Sequence, residues 1–281
     1  TGASGTVTDR QVSVSRSTRA FLSRRQYLSP ALALEGMAMI DRVGNDTRSG
    51  GSLGAAYTPA RGQWLRTAFV LNGNPFVDSL APATVLGLVP LRFPYRSDGE
   101  FAAFILRYDI EAGHRALIGL ELQHLDLRRL TYATNDPTIS FDPDRARATV
   151  ATLQADYWLG QGFGLTGAIT HAASRIRSGS LAGSPLPEMP DNTVTLGLGW
   201  LRPSGFGGNL AAVWTSERFS GLPGALLPSA VTIEAALSWE SRDKRFSAGI
   251  QVGNLLDRPL ARPWGLAPLR RESRANVVAR L

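Results

Sequence analysis

The chain has no cysteine, only three histidines (His114, His124 and His171), a single lysine, Lys244, among 30 basic residues, and no long apolar run. Without cysteine there is no disulfide scaffold, no thiolate zinc site and no cysteine nucleophile. No apolar run approaches the roughly 18 residues a spanning helix requires. No charged-then-apolar leader is visible, so no signal peptide is expected within it. Mean hydropathy is −0.06. A near-neutral value does not exclude a membrane, because a transmembrane barrel hides its apolar residues in alternation.

What the sequence does have is globular: 43% apolar and 19% charged residues over 281 positions, enough for one large all-β domain or two ordinary ones. The net charge of +7 is carried almost wholly by arginine. Those arginines are dispersed, and Arg24, Arg25, Arg61, Arg202 and Arg245 are read near turns or strand ends. A nucleic-acid site would cluster them with aromatics between. They are read instead as loop residues or partners of anionic head groups, with no nucleic acid expected as a partner.

Period-two alternation dominates. Val194, Leu196, Leu198 and Trp200 alternate with Thr193, Thr195, Gly197 and Gly199, and Val231, Ile233, Ala235, Leu237 and Trp239 with small or polar residues. Phe246, Ala248, Ile250 and Val252 repeat the pattern. Such spacing puts the apolar set on one face of a strand.

From the N-terminus, a weak strand is predicted at 11–15, a basic connector at 19–25 and a strand at 27–40 with Pro30 near its start. A long polar loop at 41–51 and strands at 53–57 and 64–71 follow. Residues 72–99 form the longest irregular stretch, with a small hairpin expected over 84–93. Strands resume near 102–108 and 118–124, and the phase slip near His124 is read as a bulge or as the strand leaving its buried zone. The later strands lie near 151–157, 163–176, 193–200, 208–216, 231–240, 246–252 and 273–281.

Connections in the second half alternate short and long, as an up-and-down sheet requires when one rim is compact. Tyr57, Trp64, Tyr108, Tyr157, Trp158, Phe163, Trp200, Phe206, Trp239 and Phe246 flank the short turns. Amphipathic rings favour the membrane–water boundary, so this row reads as an interfacial girdle. The expectation is an all-β, antiparallel up-and-down transmembrane β-barrel with short periplasmic turns and long extracellular loops. About 13 strands is an odd number, so the barrel is partial, part of a larger one.

The last third resembles the outer-membrane TonB-dependent receptors. Val252-Gly253-Asn254-Leu255-Leu256-Asp257-Arg258 is similar to their V-x-N-L-F-D-(K/R) strand ending, and Leu186-Pro187-Glu188-Met189-Pro190 to their L-P-x-x-P loop. The strand, Pro-rich loop and Asp98-Gly99-Glu100 entry between Leu65 and Asp109 resemble the middle of such barrels. The resemblance implies a bacterial outer-membrane receptor that takes up a scarce ligand such as a ferric siderophore. Its implied partners are outer-membrane lipid, a small-molecule metal chelate and an inner-membrane energy-coupling protein that acts through a plug domain. Residues 1–281 are read as barrel with no plug among them, and the chain ends in Leu281 where the family carries an aromatic. The alternative is a passive or structural barrel attached to a periplasmic domain.

No catalytic or metal site is expected. His124 and Asp126 share a strand face but have no nucleophile at an elbow. Asp142, Asp144 and the 41–46 segment lack the regular ligand spacing of a calcium loop. Gly160-Gln161-Gly162 precedes no helix and is a turn, not a phosphate cradle. The lumen face is expected to hold Glu121, Gln123, Gln154, Asp156, Thr166, Thr170, Glu234 and Gln251. No particular one of them is assigned to a ligand, and no cofactor is expected.

Overall fold

The computed structural model describes residues 17–43, 46–72, 86–90, 95–97, 101–128, 130–132, 145–263 and 268–279. In chain order the strands are β1 (Ser17–Ser29), β2 (Leu32–Val43), β3 (Asp46–Tyr57), β4 (Gln63–Asn72), β5 (Tyr95–Ser97), β6 (Phe101–Ala112), β7 (Ala116–Arg128) and β8 (Leu130–Tyr132). They continue with β9 (Arg145–Gly160), β10 (Phe163–Ile176), β11 (Asn192–Leu201), β12 (Phe206–Thr215), β13 (Arg218–Phe219), β14 (Leu226–Leu227), β15 (Ala230–Glu240), β16 (Phe246–Gly253) and β17 (Glu272–Ala279). Thirteen of them form one antiparallel sheet in chain order, with β1 and β17 as its edges. The other four make two small ribbons in the long loops, β5 with β8 and β13 with β14. Because β4 pairs directly with β6, the stretch between them is a single connection, as its parity requires.

The N-terminal third departs from the sequence reading. Residues 19–25 are not a connector but the middle of β1, which turns at Pro30 and Ala31 into β2. Pro30 sits in the turn, where its missing N–H is no loss. Arg25 and Glu35 face each other across this hairpin and form an ion pair, which accommodates charge in mid-strand. Residues 41–43 and 46–51 are not loop either: they form the ends of β2 and β3, paired up to Val43 and Asp46. Backbone pairing tolerates these polar side chains once the strands project past the apolar zone. The strand expected at 11–15 and half of the 84–93 hairpin lie outside the described residues; 86 and 87 form a turn.

Paired residues of neighbouring strands share a face, so the registers sort the whole sheet into two. Leu53, Phe69, Phe104, Leu120, Leu153, Ile169, Leu196, Leu210, Leu237 and Ile250 fall on one face, here the outer. All eight residues expected in the lumen fall on the other, the inner face. Val231, Leu237, Phe246 and Ile250 are 41%, 55%, 52% and 47% exposed, so they do not build a core. A face of large apolar side chains left open across thirteen strands has lipid as its natural solvent.

The described core is elsewhere, on the inner face near the long loops. Val70, Ile105, Leu125, Leu127, Ala148, Val150 and Ile176 are buried there against Leu88, Leu130, Leu186 and Met189, which belong to the connecting segments. The apparent phase slip at His124 has this cause. Pairing of β6 with β7 runs from Phe101↔Leu127 to Ala112↔Ala116 without a register shift, so there is no bulge. The two faces exchange polarity instead: Ile118, Leu120 and Leu122 point outward, and beyond His124 the apolar residues Leu125 and Leu127 point inward. On β9 the outward set changes from Tyr157, Ala155, Leu153 and Ala151 to Thr149, Arg147 and Arg145. At 16 residues β9 exceeds the roughly 9–11 a tilted strand needs to cross a bilayer. Its surplus lies at the long-loop end, which matches the strand-leaving-its-zone reading.

The short-turn rim is held by a repeated contact. The carbonyl oxygens of Gly62, Gly162 and Gly205 accept the N–H groups of Glu111, Leu201 and Glu240 from the neighbouring hairpin, at 2.8, 2.8 and 3.0 Å. Each of these glycines has a positive φ, which L side chains rarely adopt. Tyr57, Tyr108, Tyr157, Phe163, Trp200, Phe206, Trp239 and Phe246 take outer-face register along this rim. Phe206 and Trp239 pack with tilted rings 6.3 Å apart, and Arg202 lies 5.0 Å over the Phe163 ring. Trp64 and Trp158 have inner-face register and do not belong to the girdle, because each is one residue out of step with the outward set.

Candidate functional site

The inner face carries one continuous charged ladder across β4, β6 and β7. Arg66 donates through Nη2 to Asp109 Oδ2 at 2.5 Å, and Arg107 Nε donates to Asp109 Oδ1 at 2.9 Å. Arg107 Nη1 continues to Glu121 Oε2 at 3.3 Å, and Gln123 Nε2 donates to Glu121 Oε1 at 2.7 Å. Asp109 is only 3% exposed, and a buried carboxylate is tolerable because two guanidinium groups and their hydrogen bonds compensate it. Two positive and two negative side chains make the ladder self-neutralising.

The same ladder grips a piece of loop. Arg66 Nη1 donates to the Leu86 carbonyl at 3.3 Å and Gln123 Nε2 to the Val89 carbonyl at 3.3 Å, while Leu88 between them is buried. Leu86 and Gly87 both have positive φ, which reverses the chain there. The connection between β4 and β6 thus dips onto the inner wall. Further along the inner face, Thr152 and Thr170 hydroxyls meet at 3.0 Å and Gln154 donates to Asp156 at 2.9 Å.

The two motifs that carried the family resemblance also shape the loops. Leu186 N–H donates to Ser174 Oγ at 2.9 Å, and Leu186 and Pro187 are fully buried, so Leu186-Pro187-Glu188-Met189-Pro190 turns the chain into the core. Glu188 N–H donates to the Phe219 carbonyl at 3.1 Å, tying this loop to β13. Arg218 donates to the Pro228 and Ala261 carbonyls at 3.2 and 3.1 Å, joining its own loop to the one between β16 and β17. Burial lowers the Arg218 pKa from its ordinary value, and Glu188 opposes that shift. In the second motif Asn254 donates to the Arg258 carbonyl at 2.6 Å and accepts from Arg258 N–H at 3.2 Å. Asn254 and Asp257 have positive φ, which Asn and Asp tolerate better than most residues. Asp257 Oδ1 then accepts Arg271 N–H at 2.9 Å, pinning the loop to the start of the last strand.

The histidines do not converge. His114 lies in an exposed short turn; His124 Nδ1 is 2.9 Å from Thr149 Oγ1, and His171 Nδ1 is 3.0 Å from Asn192 Oδ1. Asp126 shares the outer face with His124, as expected, yet its carboxylate is 3.4 Å from Arg145 and 3.5 Å from Arg147. No group of three or more potential metal ligands exists among the described residues. Asp142 and Asp144 lie outside them; Asp41 and Asp46 are on β2 and β3. Gly160-Gln161-Gly162 joins β9 to β10 and is a turn. Arg66, Arg107 and Asp109 are not among the lumen residues expected from the sequence. The signal was present: they are the complement of the outward alternation Leu65, Thr67, Phe69 and Phe104, Leu106, Tyr108.

No protein-family model matches the sequence, and no curated protein matches it. Solved structures do match. The ferric yersiniabactin uptake receptor FyuA from Yersinia pestis superposes with a TM-score of 0.60 at 14% identity, over 95% of this chain and 46% of that protein. The siderophore receptor PiuA from Acinetobacter baumannii gives 0.59 at 13% identity, over 94% and 42%. The copper transporter OprC gives 0.55 at 13%, over 95% and 47%. The fold is that of the TonB-dependent outer-membrane receptor barrel. The chain spans less than half the length of these receptors, and an unclosed thirteen-stranded sheet is a part of such a barrel wall. In a barrel of this fold the outer face meets lipid and the inner face the lumen, so the ladder and the dipping loop stand on the lumen side.

Proposed function

We propose that this chain is wall and loop canopy of an outer-membrane receptor that takes up a scarce small molecule, with a metal chelate as the ligand class. The observation that carries this reading is the inner face: a charged ladder below, and loops folded onto an apolar wall above. That arrangement narrows a passage rather than leaving a wide aqueous pore, which supports gated uptake over the passive alternative. The role is binding and translocation, not catalysis. Energy coupling through a plug and an inner-membrane protein belongs to the whole receptor. The likeness of the barrel wall to siderophore and copper receptors supports it at the level of fold.

The test is uptake of radioactive iron, offered as a catecholate chelate, and of copper, by cells making or lacking the full-length protein. Saturable accumulation that a protonophore abolishes is the expected result. Permeation that persists in de-energised cells would support the passive barrel instead.

A further inference from the structure

Among the described residues, the outer face is apolar, small or uncharged from the girdle to the rows where polarity exchanges, with one ionisable exception on β1. The outward set of β2 is Leu32, Leu34, Gly36, Ala38 and Ile40. Arg24 stands opposite Gly36, the middle of that set, and Gln26 opposite Leu34. The same row continues outward-facing through Leu53, Phe69 and Phe104. The Arg24 side chain is exposed and has no ion pair among the described residues. A guanidinium at mid-depth is among the costliest groups a lipid-facing barrel wall can carry. An ionisable side chain held there calls for a partner.

Gly36 is a second, independent oddity at the same place. A Cβ on it would make only ordinary contacts, 3.7 Å from Leu53 Cδ1 and 3.9 Å from the Ser52 carbonyl oxygen, and its φ is not positive. Neither space nor backbone asks for glycine. Glycine inside a strand weakens it, and it marks places where another backbone comes close. Here it leaves a hollow beside Arg24, bordered by the exposed side chains of Leu34 and Leu53.

The missing occupant must carry an anion to mid-depth. Lipid phosphates lie at the membrane boundary and do not reach that level. A second copy of these strands does not supply one either: no Asp or Glu among the described residues faces outward within the apolar zone. We propose that the outer wall of β1 and β2 docks a different membrane-spanning protein, whose carboxylate pairs with Arg24 while its backbone closes over Gly36. A charge-assisted pair between guanidinium and carboxylate is directional and strong once lipid and water are excluded. The inference rests on the membrane reading of the sheet.

The test compares isolated native outer membranes with the purified full-length protein in bilayers. Leu53→Cys and Leu196→Cys, at positions matched at 65% and 64% exposure, are spin-labelled and their collisions with lipid-dissolved oxygen measured. Oxygen should reach position 196 in both settings and position 53 only after purification. Adding R24L should open position 53 in native membranes, and R24K should keep it shielded. In the purified protein R24L should raise the unfolding midpoint, because it takes a cation out of hydrocarbon; a merely structural role would lower it. If the label itself prevents docking, the unlabelled protein decides: extracted in mild detergent, it should migrate as a larger complex than R24L. Equal oxygen access at 53 and 196 in native membranes together with equal migration overturns the proposal. So does shielding that survives R24L, and so does shielding that survives purification, which would give the cover to the protein's own strands or a second copy. Failure to insert into any bilayer would remove the membrane reading and this surface together; insertion without shielding removes only the surface.

Discussion

The lower and upper halves of β7, β9 and β10 are the same strands in two different solvents. Toward the short turns the outer face is Ile118, Leu120, Leu153, Leu165 and Ile169, and the inner face is Glu121, Gln154, Asp156 and Thr166. Toward the long loops the outer face becomes His124, Asp126, Arg145, Arg147 and Arg175, and the inner face Leu125, Leu127, Ala148 and Ile176. No bulge intervenes among these pairs. Side-chain polarity therefore follows what each half touches: lipid outside and a wet lumen inside below, water outside and packed loops inside above. The backbone ladder is indifferent to the exchange because its hydrogen bonds are satisfied throughout.

If that contrast is right, the largest effect comes from the upper inner wall. Leu125→Ala removes a fully buried side chain beneath the loops and should lower stability by about 3 kcal/mol, whereas Gln154→Ala in the lower inner wall should change it by about 0.5 kcal/mol or less. Urea unfolding in lipid vesicles measures both. On the outer face the order reverses. Leu153→Arg should cost about 2–3 kcal/mol because it places a cation in the hydrocarbon, and Thr149→Arg, four residues higher, less than about 1 kcal/mol.

A smaller effect is expected at the compact rim. An alanine Cβ at Gly162 would meet the Leu201 carbonyl oxygen, and φ there is +83°. Gly162→Ala should therefore cost about 2 kcal/mol, seen as a lower melting midpoint. Gly224→Ala, in a long-loop turn with open space around it, carries only the positive-φ penalty of about 1 kcal/mol. The smallest effect is at the Asp243 turn. The Ser241 hydroxyl, with help from Arg245 N–H, holds the Asp243 carboxyl below its ordinary range. A lowered folded pKa gives a contribution present above the ordinary carboxylate value and lost as pH falls through the folded one. The difference in unfolding midpoint between the unaltered protein and Asp243→Asn should be present at neutral pH and shrink as pH falls below the ordinary carboxylate range.

What was legible in the sequence follows the same division. The lower halves were readable because lipid on one side and water on the other enforce a strict period of two, and the eight lumen residues fell where that period put them. The β1–β2 hairpin was not, because Arg24 and Arg25 interrupt the apolar alternation in mid-strand; nor were the polar ends of β2 and β3, because past the apolar zone no solvent contrast marks which residues are strand. Arg66, Arg107 and Asp109 were recoverable by counting the complement of each apolar set. The seat of Leu88 on the inner wall was not, since it depends on contacts with strands distant in sequence. Both family motifs were visible as strings, but their work, a buried Leu186-Pro187 corner and the Asn254 amide bracket, emerged only from the fold.

The central claim is that the outer face of each strand leaves lipid at a definite residue. Because the chain has no native cysteine, single cysteines can be placed and spin-labelled along β7 from Ala116 to Arg128 in the full-length protein in bilayers. Collision with lipid-dissolved oxygen should be high at residues 118, 120 and 122 and low at 117, 119 and 121. Beyond His124 it should vanish from both faces, with residues 126 and 128 open to an aqueous relaxer and 125 and 127 closed to both. Oxygen access at 125 or 127, or none at 120 and 122, would contradict the account.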